Sequence, residues 1–142
     1  MIAVDTNVIV PMILTTDATG LIRRLWTHES DWRTPRIWLY EFRNVIATRY
    51  RRGLISEQQC FETLISARRM VITSEFESSD DELLRTALRS GCTAYDCEYV
   101  VLARRLGSRL VTMDKQVLKA FPEVAISPED FLRDKSRRFQ SN

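Results

Sequence analysis

Short apolar segments alternate with longer segments of helical pattern along the whole chain, and this alternation constrains the fold more than any other feature. Five segments have the length and composition of strands, and they occupy residues 1–4, 31–35, 70–73, 109–112 and 124–126. The first is apolar throughout, which is typical of a strand buried on both faces of a parallel sheet. We therefore predict a parallel sheet covered by helices on both sides.

The segments between the strands carry start and stop signals for helices. Thr16 and Asp17 are expected to cap the second helix, Pro11 to lie in the first turn of the first, and Gly53 to end the third. On such signals we expect helices at residues 8–14, 18–28, 35–52, 56–69, 80–91, 93–107 and 114–120.

A chain of 142 residues suits one domain with one core. We predict this single domain over residues 1–132, followed at 133–142 by a charged, polar tail that frays. The region 35–69 holds two helices between consecutive strands, which is more than a crossover needs. We expect it to stand off the sheet as a wall or a dimer face.

Acidic residues occur at or near the predicted carboxyl ends of strands. The simplest order for five parallel strands of this kind is 3-2-1-4-5, in a three-layer α/β/α arrangement, and ligands bind at the switch point between the first and fourth strands. Asp5 ends the first strand and Asp114 follows the fourth. Helices carrying Glu41 and Asp96 begin on the same side, so we expect four carboxylates to converge on one crevice.

Each of these acids also has an ordinary structural interpretation. Asp5 and Asp114 could be helix N-caps. Asp96 lies three residues after Thr93, which matches a capping box. Glu41 could be a surface residue.

The apolar neighbours of two acids weigh against the ordinary interpretation. Glu41 has Trp38 and Val45 one turn away, and Asp96 has Tyr99 at the same spacing. Neither acid has a Lys or Arg one turn away on the inward side. Since buried acids are rarely unpaired, another group must neutralise them.

Convergent carboxylates repel one another unless they are protonated or bind a cation. Oxygen ligands without His or Cys favour Mg²⁺ or Mn²⁺, and His28 is expected to be a surface residue at a helix end. Such ions support phosphoryl transfer by activating water and neutralising phosphate charge. Thr6, Asn7 and Thr112 could orient metal-bound water, or could serve only in caps and turns.

A phosphate-rich substrate would need positive charge near this acidic crevice. The formal net charge of +2 says little about partners, but most basic residues are arginine, which suits phosphate contact. Arg43 and Arg49 share the predicted Glu41 helix with Tyr50 and are our candidates for binding RNA or DNA. Arg51 and Arg52 are better explained as complements of the helix dipole.

Four motifs in order resemble one known family. They are Val-Asp-Thr-Asn at Asp5, Leu-Tyr-Glu-Phe-Arg-Asn-Val at Glu41, Thr-Ala-Tyr-Asp-Cys-Glu-Tyr-Val-Val-Leu-Ala at Asp96 and Leu-Val-Thr-Met-Asp at Asp114. Together they look like the PIN domain, and most like the VapC-type ribonuclease toxins of bacterial toxin–antitoxin pairs. The resemblance covers nearly the whole chain.

The resemblance implies an endoribonuclease that depends on Mg²⁺ or Mn²⁺. The four acids would bind the metal, with Asn7 and Thr112 in support. It also implies a homodimer and a small antitoxin protein that covers the acidic pocket. Cys97 stands where many members have Ala and is expected to serve packing, and Glu98 receives no role.

Other acidic-pocket folds fit less well. A phospho-receiver domain needs a Lys after its last strand, where this chain has Ser127 and Pro128. A haloacid-dehalogenase-type phosphatase needs an Asp where Asn7 stands, and a dinucleotide-binding domain needs a Gly-rich turn that is missing here. A non-catalytic RNA-binding or scaffold protein with the same fold stays open.

The three cysteines have no paired spacing for a disulfide framework or a zinc site. The apolar segments are too short to span a membrane, and the N-terminus lacks the pattern of a signal peptide. We expect a cytoplasmic protein.

Overall fold

The computed structural model of the protein describes residues 1–140, with side chains through residue 134. Strands and helices alternate along the chain. In order they are β1 (Ile2–Val4), α1 (Thr6–Ile13), α2 (Thr19–His28), β2 (Trp32–Thr34), α3 (Ile37–Arg51), α4 (Glu57–Met70), β3 (Val71–Thr73), α5 (Asp80–Ser90), α6 (Ala94–Leu106), β4 (Leu110–Val111), α7 (Lys115–Ala120), β5 (Ala125–Ile126) and α8 (Pro128–Gln140).

The five strands form one sheet in the order β3-β2-β1-β4-β5, and every neighbouring pair is parallel. In the central strand, Ala3 lies opposite Arg33 of β2 and Leu110 of β4. Helices cover both faces, so the predicted three-layer α/β/α fold and its strand order are confirmed. The carboxyl ends of β1 and β4 lie side by side.

The apolar composition of β1 is explained by its complete burial. Ala3 and Val4 have no exposed surface, and α6 packs directly against β1 and β4. Trp32, Trp38 and Phe42 are among the largest fully buried side chains. Burying such aromatic surface is a large part of what holds α3 on the sheet.

Helix α1 begins two residues earlier than expected, because Asp5 acts as its N-cap. Pro11 therefore lies inside the helix rather than in its first turn, and the prediction was wrong. Proline has no N–H, so the Asn7 carbonyl receives no hydrogen bond from it. The Thr19 hydroxyl donates to the Pro11 carbonyl at 2.7 Å and ties the start of α2 to this turn.

The predicted cap of α2 was also wrong in detail. Its N-cap is Ala18, which has no side-chain hydrogen bond, and the Thr16 hydroxyl accepts from the Ala18 N–H at 3.2 Å. The end of α3 agrees better with the prediction, since Gly53 follows the helix with φ of 71°. That left-handed conformation favours glycine.

Helix α8 was not predicted, although it occupies most of the expected tail. The Ser127 hydroxyl accepts from the Asp130 N–H at its start, and α8 packs against α2. Residues 141–142 of the expected tail lie outside the described residues. Helix α4 packs against α1 and α3, and the Trp38 indole N–H of α3 donates to the Thr73 hydroxyl of β3 at 2.8 Å. The region therefore forms a wall beside α1 but packs on the sheet, and the expectation that it stands off the sheet was wrong. Through residue 140, no helix is both long and apolar enough to cross a membrane.

Candidate active site

Asp5 lies at the junction of β1 and α1 and has only 8% of its surface exposed. As the N-cap, it accepts a hydrogen bond from the Asn7 backbone N–H at 3.5 Å. Burial raises the pKa of the Asp5 carboxyl to about 6, and the charges of Glu41 and Asp96 add to this rise. The capping interpretation is therefore right, but it does not account for a buried carboxylate placed beside two other acids.

Two neighbours hold Asp5 in place from the adjacent strand end and helix start. The Thr112 hydroxyl, which is fully buried, donates to Asp5 Oδ2 at 2.8 Å. It also accepts from the Asn7 side-chain amide at 3.3 Å and from the Asp114 N–H at 3.1 Å. The same Asn7 side chain accepts from the Met113 N–H at 3.1 Å. This network fixes the ends of β1 and β4 relative to each other.

Glu41, on α3, faces two hydroxyl groups. The Tyr99 hydroxyl donates to Glu41 Oε1, and burial raises the pKa of Tyr99, which keeps the phenol protonated. The Thr6 hydroxyl lies 2.6 Å from the Tyr99 oxygen and 3.3 Å from the same Glu41 oxygen. Since the phenol gives its one hydrogen to Glu41, Thr6 is the donor to Tyr99. Burial also raises the pKa of Glu41.

Asp96 lies in the first turn of α6. Its backbone N–H donates to the Thr93 hydroxyl at 3.1 Å, and Thr93 is the N-cap. The reciprocal half of a capping box, a bond from the Thr93 N–H to the Asp96 carboxylate, is not formed. Among the described side chains, none donates a hydrogen bond to this carboxylate. Capping therefore does not explain the acid at this position.

Asp114 is the N-cap of α7. Its Oδ1 accepts from the Gln116 N–H at 2.8 Å and from the Val117 N–H at 3.1 Å. Its Oδ2 receives no hydrogen bond from residues 1–134. One oxygen thus stabilises the helix, while the other remains available for a ligand.

All four predicted acids line one cleft of about 600 Å³: Asp5, Glu41, Asp96 and Asp114. They come from four different elements, which the sheet order brings together at the carboxyl ends of β1 and β4. Within the part of the chain whose side chains are described, no Lys or Arg forms an ion pair with any of them. Within residues 1–134, the carboxylates of this cleft that accept hydrogen bonds do so only from neutral hydroxyl and amide groups, so no side chain there neutralises their charge.

The chemistry of these donors fits a hard divalent cation, because every group is an oxygen and a positive ion would relieve their repulsion. Even so, no three Asp, Glu, His or Cys side chains of the described chain are arranged to hold one metal ion directly. Mg²⁺ keeps several waters and binds through one or two carboxylates. The residues therefore fit an ion held partly through water.

The candidate nucleic-acid residues lie outside this cleft. Arg43 is exposed on α3, 5.8 Å from the Tyr40 ring, and lines an apolar groove between α3 and α4. Arg49 is partly exposed in the last turn of α3. Neither lines the acidic cleft.

Three further residues have the positions that the sequence suggested or left open. His28 is exposed at the end of α2, as expected. Cys97 is fully buried, in agreement with a packing role, and all three cysteines are free thiols. Glu98 accepts from the Ser78 hydroxyl at 2.8 Å and does not line the cleft.

Sequence reasoning missed two residues of the site. Tyr99 was recognised only as an apolar neighbour of Asp96, and its bond to Glu41 joins residues that only the tertiary fold brings together. Asn44 lines the cleft three residues after Glu41, on the same face of α3. That spacing was a signal that could have identified Asn44.

Comparison with known proteins identifies the family and the fold of the chain. The sequence model of the PIN domain family matches residues 2–125. Ribonuclease VapC3 of Pyrobaculum aerophilum is 26% identical over 124 residues, which cover 85% of this chain and 95% of that protein. The crystal structure of PAE2754, also from Pyrobaculum aerophilum, superposes with a TM-score of 0.75 at 23% identity, covering 95% of this chain and 94% of the other. From the long family match and the shared fold, we conclude that this chain belongs to the PIN domain family.

Proposed function

We propose that the protein is a metal-dependent endoribonuclease that hydrolyses RNA phosphodiester bonds, and that it is the toxin of a type II toxin–antitoxin pair. The observation that carries the proposal is the convergence of four carboxylates, without a balancing Lys or Arg among the described residues, on one open cleft. The relative named ribonuclease VapC3 supports the choice of RNA and of hydrolysis.

In this proposal, Asp5, Glu41, Asp96 and Asp114 hold Mg²⁺ or Mn²⁺, which supplies an activated water and neutralises charge on the phosphate. The chain's own residues prepare the site. Thr112 and Asn7 hold Asp5, while Tyr99 holds Glu41 through Oε1 and is itself held by the Thr6 hydroxyl. Burial raises the pKa of Asp5 to about 6 and also raises the pKa of Glu41. A cation would favour their charged forms.

A non-catalytic RNA-binding or scaffold protein is the alternative. It would have no need to keep a carboxylate such as Asp5 both buried and beside other acids. Each such acid costs stability when it ionises in the folded state. We therefore favour catalysis.

The direct test is cleavage of a labelled single-stranded RNA in Mn²⁺ and in Mg²⁺. We expect cutting by the wild type and a loss of at least about a hundredfold in Asp5→Asn and in Asp96→Asn, as when a group acting in the transition state is removed. Asp80→Asn, an exposed acid at the start of α5, is the matched control and should remain active. Activity retained in Asp5→Asn would contradict the assignment.

Binding of the ion can be measured without RNA. A ligand that binds only the folded state raises its stability, by about 2.7 kcal/mol at a hundred times the dissociation constant. We expect Mn²⁺ to raise the melting temperature of the wild type and of Asp80→Asn, but not of Asp5→Asn. An equal shift in all three proteins would place the ion elsewhere.

The toxin role has its own test. Induced expression of the wild type in a bacterial host should arrest growth, and expression of Asp5→Asn should not. Co-expression of a neighbouring gene that encodes a small antitoxin should restore growth if that protein covers the acidic cleft. If the host grows normally while it produces active wild-type enzyme, the protein is a nuclease but not a toxin.

A homodimer is the remaining part of the proposal. It is supported by large apolar side chains on the surface of α4 and the segment before it, where Leu54 is 62% and Phe61 63% exposed. Sedimentation should give twice the mass of one chain, and Phe61→Asp should shift the protein towards the monomer. A monomer at all concentrations would exclude this part.

A further inference from the structure

The cleft has two chemically different halves. The acidic half lies at the carboxyl ends of β1 and β4. The other half lies between α1, the turn that follows it and the middle of α3. Its lining residues are uncharged: Val10, Pro11, Thr16, Ala18, Asn44 and Val45.

The uncharged half is unsuited to phosphate. Among the described residues, no Lys or Arg lines any part of the cleft, whereas proteins bind nucleic-acid phosphates mainly through such residues. The carboxylates close by would repel a second phosphate. A nucleotide placed with its reacting phosphate at the acids must therefore extend an uncharged part, its base or its sugar, along this wall.

The size of the cleft allows such a group. Its volume of about 600 Å³ lies within the range of sites for small organic ligands and exceeds what one ion and one phosphate group require. Val10 and Val45 are partly exposed and offer apolar surface for the face of a base, and Thr16 adds a hydroxyl to the lining.

Asn44 provides the polar group that could distinguish one base from another. It is exposed on α3, and its side chain makes no hydrogen bond to any described residue. One turn of helix separates it from Glu41, so it lies beside the acids rather than far from them. An amide carries both donors and an acceptor, the combination that pairs with the edges of unpaired bases in RNA.

We infer that the uncharged half of the cleft binds one unpaired nucleobase beside the phosphate that is cut, and that Asn44 hydrogen-bonds to its edge. This inference rests on the proposed ribonuclease function and adds a base preference next to the cut. Unpaired RNA is required because a base within a helix cannot turn its edge into the cleft.

The experiment uses a pool of random-sequence, single-stranded RNA cut in Mn²⁺, with the ends of the products sequenced. The proteins are the wild type, Asn44→Ala and Gln58→Ala. Gln58 is a matched control, since it is an exposed amide on α4 that does not line the cleft. Melting temperature and Mn²⁺ affinity are measured for each protein and should not change.

We expect the wild type and Gln58→Ala to prefer one or two bases at a position adjoining the cut. In Asn44→Ala, the ratio of rates between the best and the worst base there should fall roughly tenfold, as for the loss of one base-edge contact. Cutting by Asn44→Ala with unchanged preference would overturn the inference and leave the ribonuclease function intact.

A second measurement does not require cleavage. Fluorescence anisotropy with the non-cutting Asp5→Asn protein compares short single-stranded RNAs that differ in one base, with and without Asn44→Ala. If the wild type does not cut RNA but the preference among bases in binding depends on Asn44, the ribonuclease function is wrong and the base site is supported. If binding shows no discrimination between bases, the base site falls.

Discussion

The hydroxyl of Tyr99, on α6, donates a hydrogen bond to Oε1 of Glu41, on α3, and so joins two helices that each contribute an acid to the cleft. Oε1 is also the oxygen nearest to the Thr6 hydroxyl. Oε2 has no hydrogen-bond partner among residues 1–134. One oxygen of this carboxylate is therefore held by the protein, and the other is available to a cation.

Replacing Tyr99 with Phe removes this donor and also the oxygen that accepts from the Thr6 hydroxyl. Because the bond lowers the pKa of Glu41, its loss raises that pKa further, and a protonated carboxyl binds cations poorly. We expect Mn²⁺ affinity to fall about tenfold and the free energy of unfolding to fall by roughly 1–3 kcal/mol. Mn²⁺ titration and urea unfolding measure the two effects. Tyr95 is an exposed tyrosine on the same helix, and Tyr95→Phe should change neither quantity. If Tyr99→Phe keeps the Mn²⁺ affinity and the stability of the wild type, the expectation is wrong.

The raised pKa of Asp5 makes stability depend on pH. Its pKa is 3.8 in an ordinary environment and about 6 in the folded protein, so the folded state binds its proton more tightly than the unfolded chain. Between about pH 4 and pH 6 the free energy of unfolding therefore falls as pH rises, by up to about 3 kcal/mol from this residue. Glu41 contributes in the same direction.

Comparing the wild type with Asp5→Asn isolates this effect from other titrating groups. In the presence of EDTA, the stability of Asp5→Asn relative to the wild type should increase between pH 4 and pH 7, as measured by urea unfolding at each pH. For Asp80→Asn the difference from the wild type should stay constant. A constant difference for Asp5→Asn as well would show that the carboxyl ionises normally in the folded protein.

The Thr112 hydroxyl makes three hydrogen bonds at once, to Asp5, Asn7 and the Asp114 N–H. In Thr112→Val all three are lost in a fully buried place, so we expect a decrease of roughly 3 kcal/mol in the free energy of unfolding. The pKa of Asp5 should rise above its present value, since the Thr112 bond lowers it.

The matched variant is Thr112→Ser, which keeps the hydroxyl and loses one methyl group. It should lose only about 1 kcal/mol of stability and leave the titration of Asp5 unchanged, as followed by carboxyl ¹³C NMR. If Thr112→Val loses no more stability than Thr112→Ser and leaves the titration of Asp5 unchanged, the hydrogen bonds of the hydroxyl do not stabilise this position.

Arg43 is exposed on α3 beyond the acidic cleft, and its suggested contact with RNA phosphate has a salt signature. Phosphate contacts release counterions, so Arg43→Ala should weaken RNA binding more at low salt than at high salt. Anisotropy titrations of the Asp5→Asn protein at several salt concentrations, with Arg23→Ala on α2 as a control, measure this difference. If the affinity of Arg43→Ala for RNA falls with salt concentration as steeply as that of the parent protein, Arg43 does not contact a phosphate.

The sheet order and the convergence of the four acids on one cleft were predictable from the sequence, because both follow from local signals. An apolar strand followed by an acid, as at Asp5, is visible within a few residues, and strand alternation then limits the topology. The bond between Tyr99 and Glu41 joins residues 58 positions apart, and that between Met113 and Asn7 spans 106 positions. Contacts of this kind depend on tertiary packing, so periodicity could not reveal them.

Two local predictions failed for reasons of context. The start of α1 was placed two residues too late, because the first apolar residue, Val8, was taken as its first residue, although Asp5 was already a candidate N-cap. Helix α8 was missed because its sequence is mostly charged. Its buried residues, Phe131 and Leu132, become a helical face only when α2 is present to cover them.

The network around Thr112 also has a consequence for biosynthesis. Asp5 is made before its partner Thr112 and the strand β4 that aligns it, which come more than a hundred residues later. A growing chain that has reached only α6 carries three of the four acids without the strand that brings the fourth beside them. While it is still being translated, such a chain cannot complete the cleft, and the messenger RNA from which it is read is not exposed to an assembled site until β4 has joined the sheet.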